Sequence, residues 1–213
     1  MIDNSKRDKI LEASLDEFAE YGYDKASTDR ISAKAGVSKG LIFHYFGSKD
    51  NLYMIIINMC IDDIFDEFNK IEFKDSEFIK MFIQTTKMKY NFFIKNPLHY
   101  KVLVNGFYNA PKKLQKKLEH RYSEIKQIGL NILVDMIKDL PIKENISAED
   151  IITVFASITN LIESKYLSYF TKDIDNFEET YDSILDEYIK LINIVLYGIL
   201  DQNQGAIIWM ILY

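Results

Sequence analysis

Apolar residues recur at helical spacing along most of the chain. Ile10, Leu11, Leu15, Phe18 and Ala19 fall on one face of a helix predicted over about Ser5–Tyr21. Ser5 and Asp8 stand in S-x-x-D capping spacing at its start, and Gly22 is placed to end it. Two short helices are predicted next. Thr28–Ala35 has Ser27 as N-cap and Asp29 in its positive first turn, and Lys39–Tyr45 is capped by Ser38. Gly36 and Gly47 break them, and Ser48 opens a fourth helix running to about Lys70. Longer stretches follow at Asp75–Lys95, Pro97–Tyr108 and Pro111–Asp139, then from Ser147 to about Phe170 and from Asn176 to about Leu200. Pro97 and Pro111 sit at first-turn positions, where proline is tolerated. The pattern predicts about nine helices, short and compact at the N-terminus and long afterwards. The expected division is a small domain over residues 1–50 and a helical bundle over 51–213, with the fourth helix shared between them.

Composition points the same way. Only 3 of the 213 residues are Pro and 8 are Gly, too few for the frequent turns of a β-rich fold. The 48% hydrophobic and 27% charged content is that of a globular chain with a real core. The longest wholly apolar run is Ala206–Tyr213, far short of the roughly 20 residues a spanning helix needs, so no membrane segment is expected. The N-terminus has no apolar stretch of the secretory kind, and Cys60 stands alone between Met59 and Ile61. Both fit a cytoplasmic protein with a reduced, buried thiol. The apolar tail is expected to pack, with Trp209 mostly buried.

The net charge of −6 is unevenly spread. Residues 25–49 carry Lys25, Arg30, Lys34, Lys39 and Lys49 against Asp29 alone, a net +4, whereas residues 173–187 carry seven carboxylates and no base. A basic N-terminal region in an acidic chain suits local contact with a polyanion. The same region reads STDRISAKAGVSKGLIFHYF over residues 27–46. This is a helix-turn-helix pattern. Ile31, Ala35 and Ile42 face a small core, Gly36 supplies positive φ in the turn, and Val37 fills the space between the helices. Ser38-Lys39-Gly40 then opens a recognition helix whose N-terminal residues enter the major groove of double-stranded DNA. Candidate DNA contacts are Thr28, Ser38, Lys39, Gly40, Phe43, His44, Tyr45 and Lys49. Lys39 suits a phosphate or a guanine, His44 a base edge or phosphate, and Lys49 a phosphate at the fourth helix's N-terminus.

The stretch ISAKAGVSKGLIFHYFGSKDNLY, residues 31–53, with Phe18-Ala19-x-x-Gly22-Tyr23 and Ser27-Thr28 upstream, resembles the TetR family of bacterial one-component repressors. The resemblance covers residues 7–53; beyond them only length, helix content and helix order match. It implies an all-α fold in which an N-terminal three-helix helix-turn-helix DNA-binding domain is fused to a C-terminal ligand-binding and dimerisation bundle. It implies a homodimer on a palindromic operator, released by a small-molecule effector. Tyr45 resembles the family's aromatic donor to phosphate. Phe43 stands where many members have Tyr; lacking the hydroxyl, it is expected to make apolar contact instead.

In the family, helices equivalent to 75–139 and the one after Ser147 surround the effector. The aromatic Tyr90, Phe93, Tyr100, Phe107, Phe155 and Tyr166, with the polar Asn160, are therefore candidate ligand-binding residues. The basic stretch 101–126 reads as a solvated helix face. No catalytic constellation, metal-ligand spacing or cofactor motif is present: His44, His99 and His120 lie in different segments, and an enzyme is not expected. The alternative function is a ligand-independent DNA-binding scaffold of the same fold that recruits a protein partner.

Overall fold

A computed structural model describes residues 4–72, 78–138, 140–172 and 177–199. Among them are nine α-helices: α1 (Asn4–Lys25), α2 (Thr28–Ala35), α3 (Lys39–Phe46), α4 (Lys49–Asn69), α5 (Phe78–Lys95), α6 (Pro97–Phe107), α7 (Gln115–Ile137), α8 (Ala148–Lys172) and α9 (Phe177–Ile199). The all-α expectation holds.

The capping chemistry places the helix starts. Ser27, Ser38 and Ser48 each have extended backbone and accept a hydrogen bond from an N–H of the first turn, on Asp29, Leu41 and Asn51 respectively. Ser147 and Asp150 form a reciprocal box at α8: the Ser147 N–H donates to Asp150 Oδ2 at 2.8 Å, and the Asp150 N–H to Ser147 Oγ at 3.1 Å. Gly36 closes α2 in the left-handed conformation at φ 65°, which a residue with a Cβ adopts only under strain.

Three boundaries differ from expectation. The first helix is already under way at Asn4, so Ser5 lies inside it. Gly22 interrupts it at φ 66° and ψ 175°, but helix resumes to Lys25, so the glycine makes a kink. Pro111–Leu114 forms a separate turn, closed by the Leu114 N–H on the Pro111 carbonyl at 2.8 Å, and α7 begins only at Gln115. The expectations for Trp209 and the tail fall outside the described residues.

Contacts divide the chain into two compact units, residues 1–71 with 91–123, and residues 72–90 with 124–213. The first holds α1–α4, α6 and the adjoining ends of α5 and α7. Its core is Ile10, Phe18, Ile31, Ile42, Leu52, Tyr53, Ile56, Ile57, Cys60 and Val102, with Leu114 and Leu118. The Phe18 and Tyr53 rings meet edge to face at 4.8 Å, locking α1 to α4. Cys60 is fully buried, and desolvation pushes its thiol up to about 12, as a packing residue requires.

The second unit buries Phe78, Ile151, Phe155, Ile158, Ile162, Ile184, Leu185, Tyr188, Ile192 and Leu196 between α5, α8 and α9. Phe155 meets Phe78 and Phe82 edge on, and Phe82 meets Tyr188 in the same way. Among the described residues, no helix is long and apolar enough to cross a membrane.

Candidate nucleic-acid interface

The α2–turn–α3 segment is held from behind by one acidic side chain. Glu17 on α1 is 7% exposed and accepts from Arg30 Nε at 2.9 Å and Arg30 Nη2 at 2.5 Å. It also accepts the Ser27 backbone N–H at 2.7 Å. One carboxylate thus holds both the N-cap of α2 and its first turn. Arg30 in turn stacks on the Tyr21 ring at 4.2 Å and donates to the Lys25 carbonyl at 2.9 Å. On the neighbouring turn Lys34 pairs with Asp16 at 2.8 Å. Ile31, Ala35, Ile42 and Phe46 are buried, so the inner faces of α2 and α3 are fixed by packing.

The outer face of α3 is open. Ser38, Lys39, Gly40, Phe43 and His44 are exposed, and Tyr45 and Thr28 are half-buried. Six of the eight candidate DNA contacts therefore lie along α3 or at its cap, with Lys39, Gly40, Phe43 and His44 accessible together. Thr28 occupies the first helical position of α2. His44 meets Tyr45 edge to face at 5.6 Å, and Tyr45 meets the buried Phe46 at 6.0 Å, which orients the aromatic end of the helix.

Two of the basic candidates carry partners that their spacing did not announce. Lys39 Nζ lies 2.9 Å from Asp29 Oδ2, across the turn. Lys49 Nζ sits 4.7 Å over the Tyr23 ring and donates to the Asp24 carbonyl at 3.5 Å; desolvation there lowers its pKa. Beneath Lys49, the Tyr23 hydroxyl donates to Asp50 Oδ1 at 2.5 Å, and Lys113 Nζ lies 2.6 Å from Asp50 Oδ2. Burial, reinforced by this hydrogen bond, pushes Tyr23 up to about 12, while Lys113 and then Tyr23 hold Asp50 below its ordinary value.

Lys113 belongs to the basic stretch expected to be a solvated face. Its side chain is 70% exposed and also pairs with the first turn of α4, and Arg121 Nε donates to Asn58 of the same helix at 2.9 Å. No sequence signal marks these pairs, which join residues 63 positions apart.

The candidate effector residues are distributed over α5, α6 and α8. Phe93 packs on Tyr100 at 5.2 Å, and Phe107 on Tyr122 at 5.1 Å, all in the first unit. Tyr90 and Phe155 are buried in the second unit. Asn160 is exposed on α8, and the side chain of Tyr166 lies outside the described residues. Thr159, a polar position among apolar ones on α8, has its hydroxyl hydrogen-bonded to the Phe155 carbonyl and to the Tyr188 hydroxyl. Among the described residues, no group of three or more His, Cys, Asp or Glu is arranged to hold a metal ion.

The kinked α1, the α2–turn–α3 pair and the capped α4 define a helix-turn-helix head. Residues 10–54 match the family of bacterial regulatory proteins, tetR family, so this head is of the TetR kind. Over 52 residues the chain is 44% identical to an HTH-type transcriptional repressor of Mycobacterium tuberculosis and 42% identical to the HTH-type transcriptional repressor AcnR of Corynebacterium glutamicum. Each match covers 24% of this chain and spans only 28% of the relative's own length. Over the whole chain the fold is TetR-like. A tetR-family transcriptional regulator from Streptomyces coelicolor superposes with a TM-score of 0.68 at 20% identity, covering 100% of this chain and 90% of that one. A TetR-like regulator from a Rhodococcus species gives 0.64 at 17% identity, covering 91% and 96%.

Proposed function

We propose that the protein is a ligand-responsive transcriptional repressor that binds a palindromic DNA operator as a homodimer. The observation that carries this reading is the face of α3. Its inner side is buried, while Lys39, Gly40, Phe43 and His44 are presented together, as a recognition helix presents its base-reading residues. The matched relatives' own description as repressors supports the direction of regulation.

A second copy is supported by the second unit. Val154 and Leu161 on α8, seven residues apart, and Ile194 and Tyr197 on α9 are exposed, Leu161 at 55% and Ile194 at 60%. From Ile151 to Ile162 the α8 sequence carries no charge. Exposed apolar side chains on two packed helices suit an isologous four-helix interface, which would set two recognition helices about one turn of DNA apart. Ile151, Ile158 and Ile162 are buried whereas Leu161 is exposed, so the two sides of α8 serve different contacts.

The effector is a small molecule taken up by the second unit, where the Phe78, Phe82, Phe155 and Tyr188 rings pack on one another and the Thr159 hydroxyl meets that of Tyr188. It releases DNA by binding more tightly to a conformation whose heads no longer match the operator spacing. The test is a fluorescence-anisotropy titration of duplexes selected from a random library by the full chain. Lys39→Ala and His44→Ala should each lower affinity at least several-fold with the helical content unchanged. Unaltered affinity in both variants would refute the assignment of α3 as the recognition helix.

A further inference from the structure

Among the described residues, no internal contact accounts for two features of α3. Phe43 is a large apolar side chain left 40% exposed, whereas the other phenylalanines of the head, Phe18 and Phe46, are buried. Gly40, three residues earlier on the same face, is helical without positive φ, and a Cβ built on it would meet nothing nearer than Ser38 Oγ at 4.0 Å. Neither backbone conformation nor internal packing requires glycine there. Alanine would favour the helix by roughly 0.5–1 kcal/mol, so the absent side chain costs stability without an internal return.

Phe43 stands one turn after Gly40 on the same open face of α3. Lys39, the other neighbour on that side, is drawn toward α2 by its 2.9 Å pairing with Asp29. The middle of the reading face is thus apolar: a bare backbone at 40 and an aromatic ring at 43, with His44 as the adjacent polar group.

A phenyl ring has no donor or acceptor, so it cannot distinguish the polar edges of guanine, adenine or cytosine. The one apolar group that B-DNA shows in its major groove is the C5-methyl of thymine. The geometry points to Phe43 as a specificity-determining residue that reads a thymine C5-methyl in each half-site, with Gly40 letting the backbone come close enough for the ring to reach it. This rests on the DNA-binding reading above and names what that site selects. The ring gains apolar contact only where a methyl is present, and a cytosine or purine at the same place leaves it against polar base edges.

The experiment replaces thymine by uracil, one position at a time, in a duplex selected by the full chain. The replacement removes the methyl and leaves every hydrogen-bonding group. At one thymine per half-site, uracil should weaken the wild-type protein about four-fold, the factor corresponding to burial of one methyl group. Phe43→Ala should bind that thymine and uracil equally. His44→Ala, though weaker overall, should keep the four-fold difference. Thermal unfolding of Phe43→Ala should match wild type, since the ring is exposed. Indifference of the wild type to uracil at every thymine, with binding intact, overturns the assignment alone, and so does a methyl effect that survives Phe43→Ala. Failure to bind any duplex would overturn the DNA-binding reading, and this assignment with it.

Discussion

Lys113 and Asp50, 63 residues apart, are joined by a 2.6 Å ion pair that ties the turn before α7 to the first turn of α4. The Asp50 carboxylate also receives the Tyr23 hydroxyl, and the Tyr23 ring carries the Lys49 ammonium. A charge in the α6–α7 connection is therefore linked through three side chains to the start of the helix that follows the recognition helix. Lys113 offsets the negative charge that Asp50 would otherwise place beside Lys49, the proposed phosphate contact.

Asp50→Asn and Lys113→Ala should show a coupling of about 0.5–1 kcal/mol in a double-mutant cycle by urea unfolding, the scale of a partly exposed pair. Because the native carboxyl is held below its usual value, this stabilisation is present above the unfolded-state value of about 4. It fades as the pH falls through the lower native one. Cycles run at pH 7 and pH 3 should differ accordingly, and equal coupling at both would exclude an ionic origin.

Asp29 is 70% exposed in its side chain and neutralises Lys39 on the DNA side of the head. Asp29→Asn should raise affinity for all duplexes about 3–10-fold and steepen the salt dependence by up to one unit, because one more cation becomes available to phosphate. Lys49→Ala should flatten that slope by about one unit. Gel-shift or anisotropy titrations between 50 and about 200 mM salt measure both.

Much of this head was legible from local chemistry. Ser27, Ser38 and Ser48 announced their helices because N-caps act within three residues, and Gly36 announced its turn because a positive φ is a single-residue property. The Glu17–Arg30, Asp29–Lys39 and Asp50–Lys113 pairs were not legible, since each depends on how separate helices pack. Aromatic residues at helical spacing mark buried positions, as Tyr90, Tyr100 and Phe155 show, but spacing does not say which of two units buries them.

Glu17 should be the most sensitive polar position of the head. Glu17→Ala leaves the Ser27 N–H and the Arg30 fork without their buried acceptor, at a cost of about 1–3 kcal/mol in chemical denaturation. Arg30→Ala leaves the buried Glu17 carboxylate with the Ser27 N–H alone, and should cost a similar amount.

Gly106 on α6 meets α4 closely: a Cβ there would stand 2.5 Å from Ile57 Cδ1. Overpacking of this kind costs about 1–3 kcal/mol, against roughly 0.5–1 kcal/mol gained by replacing a helical glycine. Gly106→Ala should therefore lower stability by about 1 kcal/mol. Ile57→Val removes the clashing methyl, so the double variant should be more stable than the sum of the single changes. Simple additivity would show that Ile57 turns aside freely.

The central claim is that two copies of this chain place two α3 helices on one symmetric DNA site. Analytical ultracentrifugation of the full chain with a selected inverted repeat tests it most directly. The account predicts two chains per duplex, and loss of that complex in Leu161→Asp and Ile194→Asp, which leave the head untouched. A single chain bound per duplex with undiminished affinity, or a two-chain complex that survives both substitutions, would contradict it.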